Sequence, residues 1–188
     1  MQRGAATKEH IDRAALRLFL RKGIDGTSMR DVVKEAGISL GAFYNHYRSK
    51  DELAWTLFSE EWSGIAIEMR RRIRAEKTLR GRLRALVGYV FGLFDADPDQ
   101  TGYVFFSRHL HLRQVNVRLP NPHLVIRLFL TNAIARGEAQ KMDPEIATQA
   151  VMGLVIQIID ARMLNLIKGP LAARADEAAD MLHRMLKA

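Results

Sequence analysis

Between residues 27 and 50 the chain gathers side chains able to bond a polyanion and to read hydrogen-bonding edges. Thr27, Ser28, Tyr44 and Lys50 offer three hydroxyls and an ammonium, the groups that hold phosphate oxygens. Arg30, Asn45 and His46 carry donors and acceptors suited to base edges. Ser39, Leu40, Gly41 and Ala42 form a short, mostly small stretch through which a backbone could approach a partner closely. The bland alternative for Tyr44 is a place in the core. Phe43 and Tyr47, spaced i, i+4, already fill that role.

Two further constellations point to other chemistry and fail on spacing. Arg108-His109-Leu110-His111, with His123 beyond, invites a metal ion. On a helix, residues two apart point away from each other, whereas ligand pairs stand at i, i+4. Asp95-Ala96-Asp97-Pro98-Asp99 looks like the start of a calcium loop, but Gln100 replaces the required glycine and Phe106 the bidentate glutamate. No glycine-rich phosphate loop, nucleophile elbow or Ser/His/Asp arrangement is present in the sequence. The expectation is therefore no metal, no cofactor and no enzymatic activity.

The elements that must position residues 27–50 can be read from caps and periodicity. Ser28 is a helix N-cap with Asp31 at the reciprocal position of a capping box. Met29, Val32, Val33 and Ala36 share one helical face, and Gly37 stands where a helix ends at positive φ. Ile38 plugs the turn, and Ser39 caps a second helix of about two turns from Leu40 to Tyr47. Ser49 with Glu52 opens a third. Helix, tight turn and helix in this order place the second helix in the major groove of DNA.

This stretch resembles the DNA-binding domain of the TetR family of transcriptional regulators. The resemblance is carried by Thr27-Ser28, Arg30-Asp31-Val32, Ala36-Gly37-Ile38-Ser39, Gly41 through Tyr47, and Ser49-Lys50-Asp51-Glu52-Leu53. It covers about residues 7–55. Tyr47 stands where the family more often has phenylalanine. The resemblance implies a DNA-binding domain at 1–55, a helical second domain at 56–188, and an effector pocket in that second domain.

Charge agrees with a polyanion at one end of the chain. Residues 1–50 hold ten Lys/Arg against five Asp/Glu, whereas residues 144–188 hold five of each. The N-terminus lacks an apolar leader, no run approaches 18 apolar residues, and there is no cysteine. We expect a cytoplasmic protein without a membrane span.

The remainder predicts an all-α chain of about nine helices: Thr7–Lys22, the helix–turn–helix pair, 50–75, 79–95, and three more opened by Asp97-Pro98, Asn121-Pro122 and Asp143-Pro144. A last helix follows Gly169-Pro170. From the eighth helix, Ala147, Val151, Leu154, Ile158 and Ala161 make an apolar stripe, with Val155, Ile159 and Met163 beside it. From the last come Ala172, Ala175, Ala179, Leu182, Met185 and Leu186. We expect a homodimer through residues 144–188, the alternative being that both helices fill the subunit's own core.

A mainly apolar effector pocket is expected among the fifth to eighth helices, with Tyr103, Phe106, His109, Gln157 and Asp160 as its contacts. The expected ligand is small and apolar or amphipathic, the second domain showing no dense basic cluster that would favour a highly phosphorylated one. The reading as a whole is a dimeric, sequence-specific regulator of double-stranded operator DNA, a repressor released by that effector. The alternatives are a constitutive regulator without effector, or, from another class, a small-molecule-binding protein or enzyme.

Overall fold

The computed structural model describes residues 2–111, 114 and 119–187. Among these there is no strand. The order is α1 (Gln2–Lys22), α2 (Met29–Ala36), α3 (Leu40–Tyr44), α4 (Lys50–Ala75), α5 (Leu79–Ala96), α6 (Pro98–His111), α7 (Pro122–Ala135), α8 (Pro144–Met163), a 3-10 turn (Leu171–Arg174) and α9 (Ala175–Leu186). The caps explain most of the boundaries. The carboxamide oxygen of Asn121 accepts from the N–H groups of His123 and Leu124, and the carboxylate of Asp143 accepts from those of Glu145 and Ile146. In both cases proline occupies the first turn, where its missing N–H costs nothing. Helix α1 begins earlier than expected, at Gln2 and not at Thr7.

Contacts divide the helices into two units. The first holds α1, α2, α3, α4 as far as Glu61, and α6. Its core contains Ile11, Leu18, Phe19, Phe43 and Phe58. The expected second domain at 56–188 includes α6, but the aromatic face of this helix packs in the first unit. Tyr103 stacks on Phe19 with ring centroids 5.8 Å apart, and its hydroxyl donates to the Ala54 carbonyl at 2.8 Å. His111 stacks on Phe58 at 4.7 Å. Burial pushes the His111 imidazole below its usual pKa.

The second unit holds α4 from Trp62, α5, and α7 through α9. Leu83, Val87 and Val90 of α5 are buried, as are Ala175, Ala179, Leu182 and Leu186 of α9, and these two helices pack on each other. The packing is close at Gly88, where a β-carbon would lie 3.7 Å from that of Ala175. The carboxylate of Asp95 accepts from the N–H groups of Leu171 and Ala172 at 2.9 and 2.8 Å, fastening the 3-10 turn to the end of α5. The small-residue stripe of α9 is therefore intramolecular core. This corrects the expectation that it faces a second chain. Only Ala172 of that stripe, together with Met185, is left exposed.

On α8, Ala147, Val151, Val155 and Ile159 are buried, whereas Leu154, Ile158 and Ala161 are half-buried. By length and composition alone α8 is apolar enough to cross a membrane. Its contacts with α7, α5 and α9 account for part of that apolarity. Ile146, Met163, Leu164 and Leu166 remain exposed on it or just beyond it.

Candidate nucleic-acid interface

The segment from Thr27 to Glu52 folds as its caps require. The Ser28 hydroxyl accepts from the Asp31 N–H at 3.1 Å, and the Asp31 carboxylate accepts from the Ser28 N–H at 3.0 Å. The bond from the Ser28 N–H first, and then one that the Ser28 hydroxyl donates to the same carboxylate at 3.0 Å, hold the Asp31 carboxyl below the usual carboxylate range. Gly37 ends α2 at φ +66°, ψ 33°, and the next N–H, of Ile38, reaches back to the Val33 carbonyl at 3.0 Å. That closure needs a left-handed residue, which glycine supplies without a steric penalty. The Ser39 hydroxyl accepts from the Ala42 N–H at 3.1 Å and starts α3. Ser49 caps α4 through the Glu52 N–H, but the returning Glu52 carboxylate bonds the N–H of Arg48, one residue earlier than in the usual box.

Regular α-helix in α3 ends at Tyr44, shorter than the two turns expected. Asn45 has already turned to ψ −17°, and the His46 and Tyr47 N–H groups share the Phe43 carbonyl. The inward pair behaves as predicted: Phe43 and Tyr47 are buried with ring centroids 6.0 Å apart. The Tyr47 hydroxyl also donates to Asp12 Oδ1 at 2.6 Å, and Lys8 Nζ holds Asp12 Oδ2 at 2.9 Å. Burial first, then the bond to Asp12, raises the Tyr47 pKa. The recognition element is thereby tied to α1 by a polar contact that a phenylalanine could not make. Tyr47→Phe is expected to cost about 1.5 kcal/mol in a urea unfolding series, with a smaller effect when Asp12 is already alanine. Equal losses in both backgrounds would show that the bond contributes nothing.

The outward side chains sort less uniformly. Tyr44 is 48% exposed and Leu40 42% exposed. Arg30, Ser39, Gly41 and Asn45 are exposed, and Ala42 and His46 half-buried. A β-carbon on Gly41 would meet nothing nearer than the Ser39 hydroxyl at 3.9 Å, so the protein's own packing does not require glycine there. Two of the expected phosphate contacts are engaged internally. Thr27 is only 2% exposed and its hydroxyl donates to the Gly23 carbonyl at 2.8 Å, so it latches the turn between α1 and α2 and does not present its hydroxyl to a phosphate. Lys50 is half-buried and its ammonium donates to the Ile24 carbonyl at 2.7 Å, leaving its remaining N–H groups for an anion. Sequence reasoning missed Lys34 and Arg48. Both are exposed and, among the described residues, neither side chain bonds a carboxylate, whereas Arg17 pairs with Glu35 and Lys8 with Asp12. Exposed basic residues beside a capping motif were the available signal.

The five residues expected to contact an effector divide between the two units. Tyr103, Phe106 and His109 lie on α6 in the first unit, and Gln157 and Asp160 on α8 in the second. Tyr103 is buried with its hydroxyl bonded to backbone, and His109 is exposed. Gln157 is exposed and donates to Asp160 Oδ2 at 3.1 Å, while Asp160 Oδ1 is buried with no partner among the described residues. Periodicity showed these polar groups amid apolar helices but not which way each one faces. Among the described residues no cluster of His, Cys, Asp or Glu could hold a metal ion, and His123 bonds Glu145 at 2.7 Å.

With that geometry established, comparison with known proteins gives one family. Residues 11–55 match the model of bacterial regulatory proteins of the tetR family. The transcriptional regulator BetI of Burkholderia ambifaria is 30% identical over 86% of this chain and 84% of its own. The fatty acid metabolism regulator protein of Bacillus subtilis is 23% identical over 90% of each chain. A crystal structure of the regulator FadR from Bacillus subtilis, in complex with stearoyl-CoA, superposes with a TM-score of 0.72 at 22% identity, covering 93% of this chain and 96% of that one. The helix–turn–helix, its capping pattern and a match to BetI over most of both chains together establish that the chain belongs to the TetR family of DNA-binding transcriptional regulators.

Proposed function

We propose that the protein is a homodimeric repressor that reads a two-fold operator through α3 and is released from it by a small amphipathic effector. The observation that carries the reading is the face of α3. Phe43 and, just past the helix, Tyr47 are buried, while Leu40, Gly41 and Tyr44 and the C-cap Asn45 are turned out, on a helix opened by the Ser39 cap. In this assignment Ser28, Tyr44 and Lys50 hold phosphates, joined by Lys34 and Arg48, and Thr27 supports them from behind. Ser39, Leu40, Gly41, Ala42, Asn45 and His46 lie against base edges, with Arg30 reaching in from α2. Two such helices must stand about 34–36 Å apart, or a multiple of it, to meet successive half-sites, which requires a dimer.

The dimer is assigned to residues 144–188, on the face that the second unit leaves open. Half-buried Leu154 and Ile158 and exposed Met163, Leu166 and Met181 supply apolar surface there, and a helix that is apolar on more than one face must be covered on more than one. The effector part of the proposal is supported by relatives that regulate fatty acid metabolism and by the stearoyl-CoA bound to FadR. In this reading the division at 55/56 is a functional one, with α6 packed in the same unit as the reading head.

Selection of binding sites from a random DNA pool, followed by affinity measured against salt, tests the reading. An inverted repeat is expected among the selected sites. Arg30→Ala is expected to relax base preference at one position, by about 1–3 kcal/mol. Lys50→Ala is expected to weaken binding to all sequences and reduce the salt slope by about one. Selection of no common sequence would defeat the assignment of α3 as the reading helix.

A further inference from the structure

A groove of about 450 Å³ lies within the second unit, formed by the end of α4, the start of α5 and one face of α7. Four arginines line it, Arg70, Arg74, Arg82 and Arg136, and none of its lining residues is acidic. Its floor is apolar: Ile73 and Phe129 are buried, and Leu124 and Leu128 stand 40% and 60% exposed. Large apolar side chains left in water beside a ring of cations are costly on both counts, because the surface is unburied and the like charges repel.

The ion pairs nearby show which of these cations are available. Glu68 takes Arg71 and Arg72, each at 2.6 Å, and those two bonds pull its carboxyl down to about 2. Arg70 and Arg74, on either side of that pair and one helical turn apart, have no carboxylate or hydrogen-bond partner among the described residues, and both face the groove. Arg82 is held by Glu138 at 2.6 Å and by the Glu76 carbonyl at 3.1 Å, so it is a fixed wall. Arg136 lies 3.9 Å from the same Glu138. The expectation that this region lacks a basic cluster is therefore corrected. The cluster is assembled from three separate stretches of the chain.

We infer that this groove binds an amphipathic anion, its apolar body on Leu124, Leu128 and Phe129 and its anionic oxygens on Arg70 and Arg74. The volume is that of small-molecule sites, and guanidinium groups match carboxylate and phosphate oxygens with paired donors. The inference rests on the effector reading above and moves its contacts from the five residues proposed on sequence grounds to this groove.

Calorimetric titration of the full chain tests it, with dodecyl phosphate and dodecanoate, both kept below micelle formation, and inorganic phosphate as probes. Both amphiphiles are expected to bind, and inorganic phosphate to bind at least tenfold more weakly. Arg70→Ser with Arg74→Ser is expected to weaken both amphiphiles by about tenfold to a hundredfold, and Leu128→Glu, at an exposed position, by a similar factor. Melting of the ligand-free variants checks that the fold is kept. Unchanged affinity in both variants, or no binding of either amphiphile, would overturn the site. Operator release is read in parallel. Variant-sensitive binding that leaves DNA bound keeps the site and removes the effector role. Release that is indifferent to the variants keeps the effector role and removes the site.

Discussion

Replacing Ile158 by glutamate is expected to turn the protein into a folded monomer and to remove nearly all of its specific operator binding. Ile158 is half-buried, with its helix neighbours Val155 and Ile159 buried in the subunit core. A charge at Ile158 can therefore stay in water within the monomer but not inside an apolar interface, where an uncompensated carboxylate costs several kcal/mol. Loss of the partner removes one of two reading helices. Specific binding exceeds non-specific binding by roughly 10³–10⁷-fold for dimeric readers, and most of that margin should disappear. Sedimentation velocity and an operator titration at fixed salt check both parts. A dimer that survives the substitution would place the interface elsewhere than on α8. Leu154→Glu is the matched second variant, since Leu154 is also half-buried.

The neighbours Phe43 and Tyr44 give the second large effect, through opposite losses. Phe43 is fully buried, and its ring lies against Tyr44 at 5.8 Å in an edge-on arrangement and against Tyr47. Phe43→Ala is expected to destabilise the protein by about 3–5 kcal/mol, the combined cost of lost burial and a cavity in the first unit. Operator binding would fall with the fraction folded. Tyr44→Ala should leave stability within about 0.5 kcal/mol and yet weaken DNA binding, because nearly half of that side chain faces solvent. Paired urea unfolding and DNA titrations separate the two. If Tyr44→Ala weakened folding as Phe43→Ala does, the outward face of α3 would be wrongly assigned.

The parts of this fold that were legible in the sequence are those set by local chemistry. Ser28, Gly37, Ser39, Asn121 and Asp143 each bond the backbone within three residues or adopt a conformation that their own type favours. Helix boundaries followed from them. What periodicity cannot encode is the partner of an apolar face. Ala175, Ala179 and Leu182 read equally well as interface or core, and only the packing on α5 decides between them. The same holds for Thr27, whose hydroxyl could point outward or, as found, bond Gly23 four residues back. The groove was invisible for a different reason. Residues 70–74, 82 and 136 share no window of sequence, and the acid that neutralises part of the basic run sits within the run's own helix.

The placement of α6 bears on how this protein could be recombined with others. The reading head looks like a contiguous N-terminal piece, and a cut after Glu61 would seem a natural joint for grafting it onto a foreign partner. Such a graft would remove Tyr103 from Phe19 and from the Ala54 carbonyl, and His111 from Phe58. An aromatic surface would be laid bare, and the Ala54 carbonyl would lose the Tyr103 hydroxyl. The transferable module is discontinuous. It comprises the first 61 residues together with the helix that begins at Pro98. A chimera that keeps both segments should retain a cooperative melt in its N-terminal part, and one that carries only the first should lose it.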